Sequence, residues 1–172
     1  MVLENEEIQE VFQANYGNLC RFLESIVGRD SLAHDIAQES FLRLCGAQFG
    51  EIKIPEVRFW LFRVARNLAL NEVSKVKTRV RLWAEIRDFF GVSKTDPECL
   101  LLREESHRIV MELVNRLPEH QRSALLLREQ EDMNYREIAM ILNVGESKVK
   151  VDIFRARSAL RELWIKKYGK GR

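Results

Sequence analysis

The chain has 172 residues, 46% of them apolar and 31% charged, so it carries enough Leu, Ile, Val and Phe to bury cores and is too apolar to remain disordered. With only eight Gly and three Pro, and apolar residues recurring at spacings of three and four, it reads as helical throughout, with no convincing strand. A net charge of +2 hides an uneven distribution: residues 1–50 carry three Arg against eight acids, residues 58–81 seven Lys or Arg against the single Glu72, and residues 146–172 nine against three.

Two basic blocks far apart in sequence fit an electrostatic footprint on nucleic acid. The acidic start, with Glu4, Glu6, Glu7 and Glu10, resembles no signal peptide, and no apolar run reaches the roughly 18 residues that span a bilayer. A cytoplasmic protein without direct membrane insertion is expected. Cys20, Cys45 and Cys99 are odd in number and widely spaced among apolar neighbours, which reads as buried free thiols. His34, His107 and His120 lack metal-ligand spacing and no Gly-rich phosphate loop occurs, so no metal, cofactor, small-molecule substrate or catalytic residue is expected.

In chain order, helices are predicted from Glu6 to about Phe90, broken by one irregular stretch over residues 48–57 that holds Gly50 and Pro55. Asp35, Gln38, Glu39 and Leu42 share one helix face, while Ile36, Ala37, Phe41 and Leu44 turn inward. Farther on, Trp60, Leu61, Val64 and Leu68 form the expected buried stripe. Arg63, Arg66, Asn67 and Asn71 fall on the other side, close to Phe59 and followed by Lys75, Lys77, Arg79 and Arg81. That mixture of cations, amides and aromatics suits unstacked bases, where an aromatic face contributes roughly 1–3 kcal/mol per base.

Residues 91–97 form the longest polar, breaker-containing run, and Asp96 is placed to cap a helix that starts with Pro97. Beyond it, Pro118 opens a helix carrying Ala124, Leu125 and Leu127, and Asp132 sits at a turn where a positive φ is tolerated. Asn134 stands three residues before Glu137, the spacing of a capping box, and a short helix from Tyr135 to Asn143 follows. Ser147 is placed to cap the last helix, whose stripe is Val149, Ile153, Ala156, Leu160 and Leu163. Lys148, Val151, Asp152 and Arg155 fall on its opposite side, flanked by Lys150 and Phe154, as in a helix that enters the major groove. The expected architecture is all-α: two small helical domains, residues 1–90 and 99–172, joined by a flexible linker over 91–98, the second containing a helix-turn-helix.

Four segments in this order, Asp35 to Leu44, Phe59 to Asn71, Leu117-Pro118-Glu119 with Arg122, and Tyr135 to Arg157, resemble the extracytoplasmic-function (ECF) group of the sigma-70 family over nearly the whole length. The resemblance implies a non-enzymatic transcription initiation factor that binds core RNA polymerase, directs it to promoter DNA, helps melt the minus-ten element and is controlled by an anti-sigma factor. Asp35, Gln38, Glu39 and Arg43 would then bind the polymerase clamp. Arg58, Phe59, Arg63, Arg66, Asn67, Asn71, Lys75, Lys77 and Arg79 would bind the minus-ten element, with Asn67 holding a flipped base beneath the loop over residues 48–57. Ser147, Lys148, Lys150, Val151, Asp152, Phe154 and Arg155 would lie on the minus-thirty-five duplex.

Two departures from the family pattern stand out. Where members commonly read Gly-Thr-Val-Lys-Ser-Arg, this chain has Ser147-Lys148-Val149-Lys150-Val151-Asp152, and an acid in the groove is expected to accept from cytosine N4 or to orient Arg155. The stretch Lys53-Ile54-Pro55-Glu56 is also unusual and leaves the preferred minus-ten base open. A sigma mimic that only occupies an anti-sigma factor is disfavoured by the retained basic stripes, and a simple repressor by the polymerase-type first domain.

Overall fold

The structure, a computed structural model, describes residues 3, 5–48, 54–90 and 104–169, with side chains at Leu3 and over 6–48, 56–75 and 109–169. Seven helices occur among them: α1 (Asn5–Val27), α2 (Asp30–Gly46), α3 (Ile54–Phe90), α4 (Glu104–Val114), α5 (Glu119–Glu129), α6 (Tyr135–Leu142) and α7 (Glu146–Tyr168). The described residues include no strand. The expected linker, Asp96, Pro97 and Cys99, and the side chains of Lys77, Arg79, Arg81 and His107, lie outside the described residues.

The first three helices pack on one another. α1 hands over to α2 at Gly28, whose φ of +69° lets its N–H reach the Glu24 carbonyl at 2.8 Å. A side chain there would meet open space, so only the left-handed backbone restricts the position, by roughly 1–2 kcal/mol for an L-residue. Leu19, Phe22, Leu23, Leu44, Val57, Leu61 and Phe62 are fully buried between the helices. The rings of Phe22 and Phe62 lie 5.5 Å apart at a tilt of 46°, a favoured aromatic arrangement.

α3 departs from expectation in two ways. It begins at Ile54, so residues 54–57 form its first turn and not part of an irregular stretch. Pro55 fits there because first-turn amides have no helical acceptor to lose. Its buried stripe is Val57, Leu61, Phe62, Ala65 and Ala69, while Trp60, Val64 and Leu68 are half-buried. Two alanines one turn apart let α1 and α2 approach closely, and the bulk of Trp60 goes to the margin of that contact.

In the second domain α7 packs on α4, α5 and α6. Leu127, Met133, Ile138, Ile141, Val149 and Ile153 fill the core. The Asn134 side chain accepts from the Arg136 and Glu137 amides at 3.0 Å, and the Asn134 amide donates to the Glu137 carboxylate at 2.7 Å, completing the capping box. Asp132 and Asn143 take φ values of +48° and +54°, and Asn143, Val144 and Gly145 make the turn into α7. Gly145 is the cap of α7; Ser147 lies inside its first turn and does not cap it.

Candidate functional site

The outward face of α2 carries Asp35, Gln38, Glu39, Leu42 and Arg43, all exposed. Leu42 is 68% exposed, an apolar side chain bared among polar ones. Arg43 Nε donates to Glu39 Oε1 at 2.8 Å, an exposed pair worth about 0.3–0.5 kcal/mol, so it orients the two side chains more than it stabilises the helix. Behind this face, Tyr16 Oη lies 3.0 Å and Cys20 Sγ 3.5 Å from His34 Nδ1, while His34 Nε2 faces Asp30 at 3.2 Å. Burial pushes both the Tyr16 phenol and the Cys20 thiol up, which keeps them protonated and makes Cys20 a packing thiol rather than a reactive one. Cys45 is exposed, contrary to expectation, because Leu44 takes the inward place beside it.

On α3, Asn67, Asn71 and Lys75 are exposed, and Phe59 packs half-buried against the core. The three arginines before them are placed differently. Arg66, expected on the open side, is only 6% exposed because it lies between Phe62 and Ala69 on the edge of the buried stripe. Its Nε donates to Glu119 Oε1 at 3.0 Å and to Ser123 Oγ at 3.1 Å, and its Nη2 donates to the same carboxylate. Arg63 donates to the Met140 carbonyl. Arg58 lies over the Phe62 ring and pairs with Glu131 at 3.2 Å. Gln130 and Ser25 close the same seam at 3.1 Å.

These partners escaped sequence reasoning. They stand 53 to 105 positions from the residues they touch, and no local period links such pairs. Glu119 alone carried a signal, through the Leu117-Pro118-Glu119 motif, but that motif does not name Arg66.

The outward face of α7 bares Ser147, Lys148, Lys150, Val151, Phe154 and Arg155. Phe154 is 72% and Val151 44% exposed, while Val149, Ile153 and Ala156 are buried. Asp152 corrects the sequence reading: it is 1% exposed, and both its oxygens accept from Lys148 Nζ at 2.9 Å. Position 152 lies three residues after Val149 and four before Ala156, so its side chain joins the inward stripe and is turned away from a groove. Lys150 Nζ sits 5.6 Å from the centre of the Tyr135 ring, which ties the face back to α6. Among the described residues, no cluster of three His, Cys, Asp or Glu could hold a metal ion, and no helix is long and apolar enough to cross a membrane.

Family models for sigma-70 region 2 and sigma-70 region 4 match residues 11–80 and 107–160. The ECF RNA polymerase sigma factor SigM of Bacillus subtilis is 31% identical over 91% of this chain and 94% of its own. The chain belongs to the ECF sigma factors. It is therefore a transcription initiation factor and not an enzyme. The ECF sigma-E factor of Escherichia coli K12 is 34% identical over 73% of this sigma factor and 70% of its own chain. Its fold is that of the sigma factor RpoE of Bartonella quintana, solved in complex with the anti-sigma factor NepR, with a TM-score of 0.63, 22% identity and coverage of 90% and 94% of the two chains.

Proposed function

We propose that this sigma factor docks on core RNA polymerase through the outward face of α2, captures the minus-ten strand on α3 and reads the minus-thirty-five element with α7. The domains run over residues 1–90 and 99–172, with 91–98 between them. The observation that carries the reading is the two-sided α7: Val149, Asp152, Ile153 and Ala156 hold it to its domain, while Lys148, Lys150, Val151, Phe154 and Arg155 are exposed on its other side. A helix so divided can seat in a major groove, with cations meeting guanine edges or phosphates and apolar side chains meeting thymine methyl groups.

Asp152 enters only as the anchor that holds Lys148 in place. On α3, exposed Asn67 takes the unstacked base and Asn71 and Lys75 follow the strand. A cytoplasmic location is proposed because the polymerase and the promoter are there. An anti-sigma partner is proposed on the strength of the shared fold with a sigma factor solved bound to one.

Binding to a panel of single-base duplex variants at two salt concentrations tests the α7 reading. Arg155→Ala is expected to lose about 1–3 kcal/mol at one base position, and Lys150→Ala to weaken all duplexes alike while lowering the salt slope by about one. If neither substitution alters the preference profile or the salt slope, α7 is not the reading helix.

A further inference from the structure

Helical spacing sorts the exposed residues of α7 into a crest and two flanks. At about 100° per residue, Ser147, Val151 and Phe154 fall within roughly 60° of one another, opposite the buried Val149, Ile153 and Ala156. Lys148 and Arg155 lie along one side of that crest and Lys150 along the other, all exposed. The crest itself carries no charge. It presents one hydroxyl and two bared apolar side chains, Phe154 at 72% exposure and Val151 at 44%. Val151 stands where the family pattern commonly has serine, so an apolar group has been gained on the exposed side of the helix.

The flanking lysines are held back from the crest. Lys148 Nζ donates to both oxygens of Asp152 at 2.9 Å, and Asp152 is buried at the inward edge of the helix, so the ammonium is drawn toward its own domain. Lys150 Nζ lies 5.6 Å from the centre of the Tyr135 ring on α6. Farther along that flank, Arg157 pairs with Glu129 of α5 at 2.6 Å. Cations placed in this way address the phosphates on the walls of a groove, a contact that carries no sequence information. What meets the floor of the groove is the crest. The apolar group that a base edge presents in the major groove is the 5-methyl of thymine, and apolar side chains contact it there. Three residues advance a helix by about 4.5 Å, close to the base-pair step of about 3.4 Å, so Val151 and Phe154 reach neighbouring base pairs.

Resting on the reading of α7 as the minus-thirty-five helix, we propose that Val151 and Phe154 are its specificity-determining pair, and that the element they take carries thymines at adjacent positions, recognised through their 5-methyl groups. Arg155 adds a polar contact at the edge of the crest, while Lys148 and Lys150 supply attraction to the backbone. Cytosine at either position removes the methyl and turns a polar N4 amine toward an apolar side chain that cannot accept from it, so it is rejected on both counts.

The test uses holoenzyme assembled from the full chain and core RNA polymerase. Its tightest-binding fragment of sheared genomic DNA from its own source is resynthesised with deoxyuridine at each thymine of the upstream element in turn, which keeps every hydrogen bond of the base pair and removes the methyl alone. At two adjacent positions the parent is expected to lose about fourfold in affinity, the equivalent of about one buried methylene. Val151→Ser and Phe154→Ala alter exposed side chains, and each is expected to abolish the loss at one of those positions and keep it at the other. Parental affinity for every uracil-containing duplex, with base preference still altered by Arg155→Ala, overturns the methyl reading and leaves α7 as the reading helix. A loss on uracil substitution that persists undiminished in both variants assigns the methyls to other side chains and overturns it as well. If neither uracil nor any of the three substitutions changes binding, the reading of α7 fails and the methyl reading with it.

Discussion

A carboxylate at position 152 was read from the sequence as a groove-facing acceptor, yet it lies on the inward edge of α7 with Lys148 bonded to both oxygens. Helical spacing places a residue to within about one position, or 100° of rotation, and at the edge of a stripe that margin decides between solvent and core. Asp152→Arg is therefore expected to put a cation into a buried site and to destabilise the second domain by about 3 kcal/mol or more, read as a lowered midpoint of denaturant unfolding. An unchanged midpoint, with only the salt slope of DNA binding steepened, would return Asp152 to the groove. The cap at Asn134 was fully legible, because its partner Glu137 is three residues away and the motif closes without help from the rest of the chain. Asn134→Ala is expected to cost about 1 kcal/mol with an unchanged denaturant slope; a cost near zero would mean that the turn at Asp132 and Met133 sets the start of α6 unaided.

Among the helices, α2 was read correctly and α3 was read one step out of phase. In α2 the inward residues Ile36, Ala37, Phe41 and Leu44 are large or uniformly apolar, so the period has one solution. In α3 nearly every position from Val57 to Leu70 offers an apolar side chain, and the packing of Ala65 and Ala69 against α1 and α2 outweighs the size of Trp60, Val64 and Leu68. The period alone cannot rank those choices; closeness of approach can. For α2 the outcome bears on docking. The double change Gln38→Ala and Glu39→Lys alters exposed groups only, so stability is expected to move by no more than about 0.5 kcal/mol, while binding to core polymerase falls at least about tenfold, a loss near 1.4 kcal/mol. Parental affinity in a titration of core polymerase would remove α2 from the proposed interface.

For the molecule as a whole, the two helical domains were legible from the basic blocks and the polar run between them, whereas their mutual contact was not, since it joins residues 53 to 105 positions apart. That contact has a pH signature. Burial raises the Glu131 carboxyl above its ordinary value of 4.5, with Arg58, Arg21 and Asn18 acting in the lowering sense. A raised value in the folded chain means that it holds the proton more tightly than the unfolded chain does. The contribution of Glu131 to folding stability is thus fully present below about 4.5 and is lost as pH rises through the raised value. Glu131→Gln, permanently uncharged, is expected to be more stable than the parent near neutral pH by a margin that closes as pH falls toward that value, read as the midpoint of denaturant unfolding. A variant less stable than the parent near neutral pH, with the gap closing on acidification, would contradict the direction.

The family assignment and the surfaces proposed for α2, α3 and α7 meet in one measurement: the sigma factor is added to core RNA polymerase on genomic DNA of its own source, and transcript 5′ ends are mapped. A discrete set of start sites is expected, preceded by two shared sequence elements and lost with the Gln38→Ala, Glu39→Lys double variant. Start sites indistinguishable from those of core polymerase alone would contradict it.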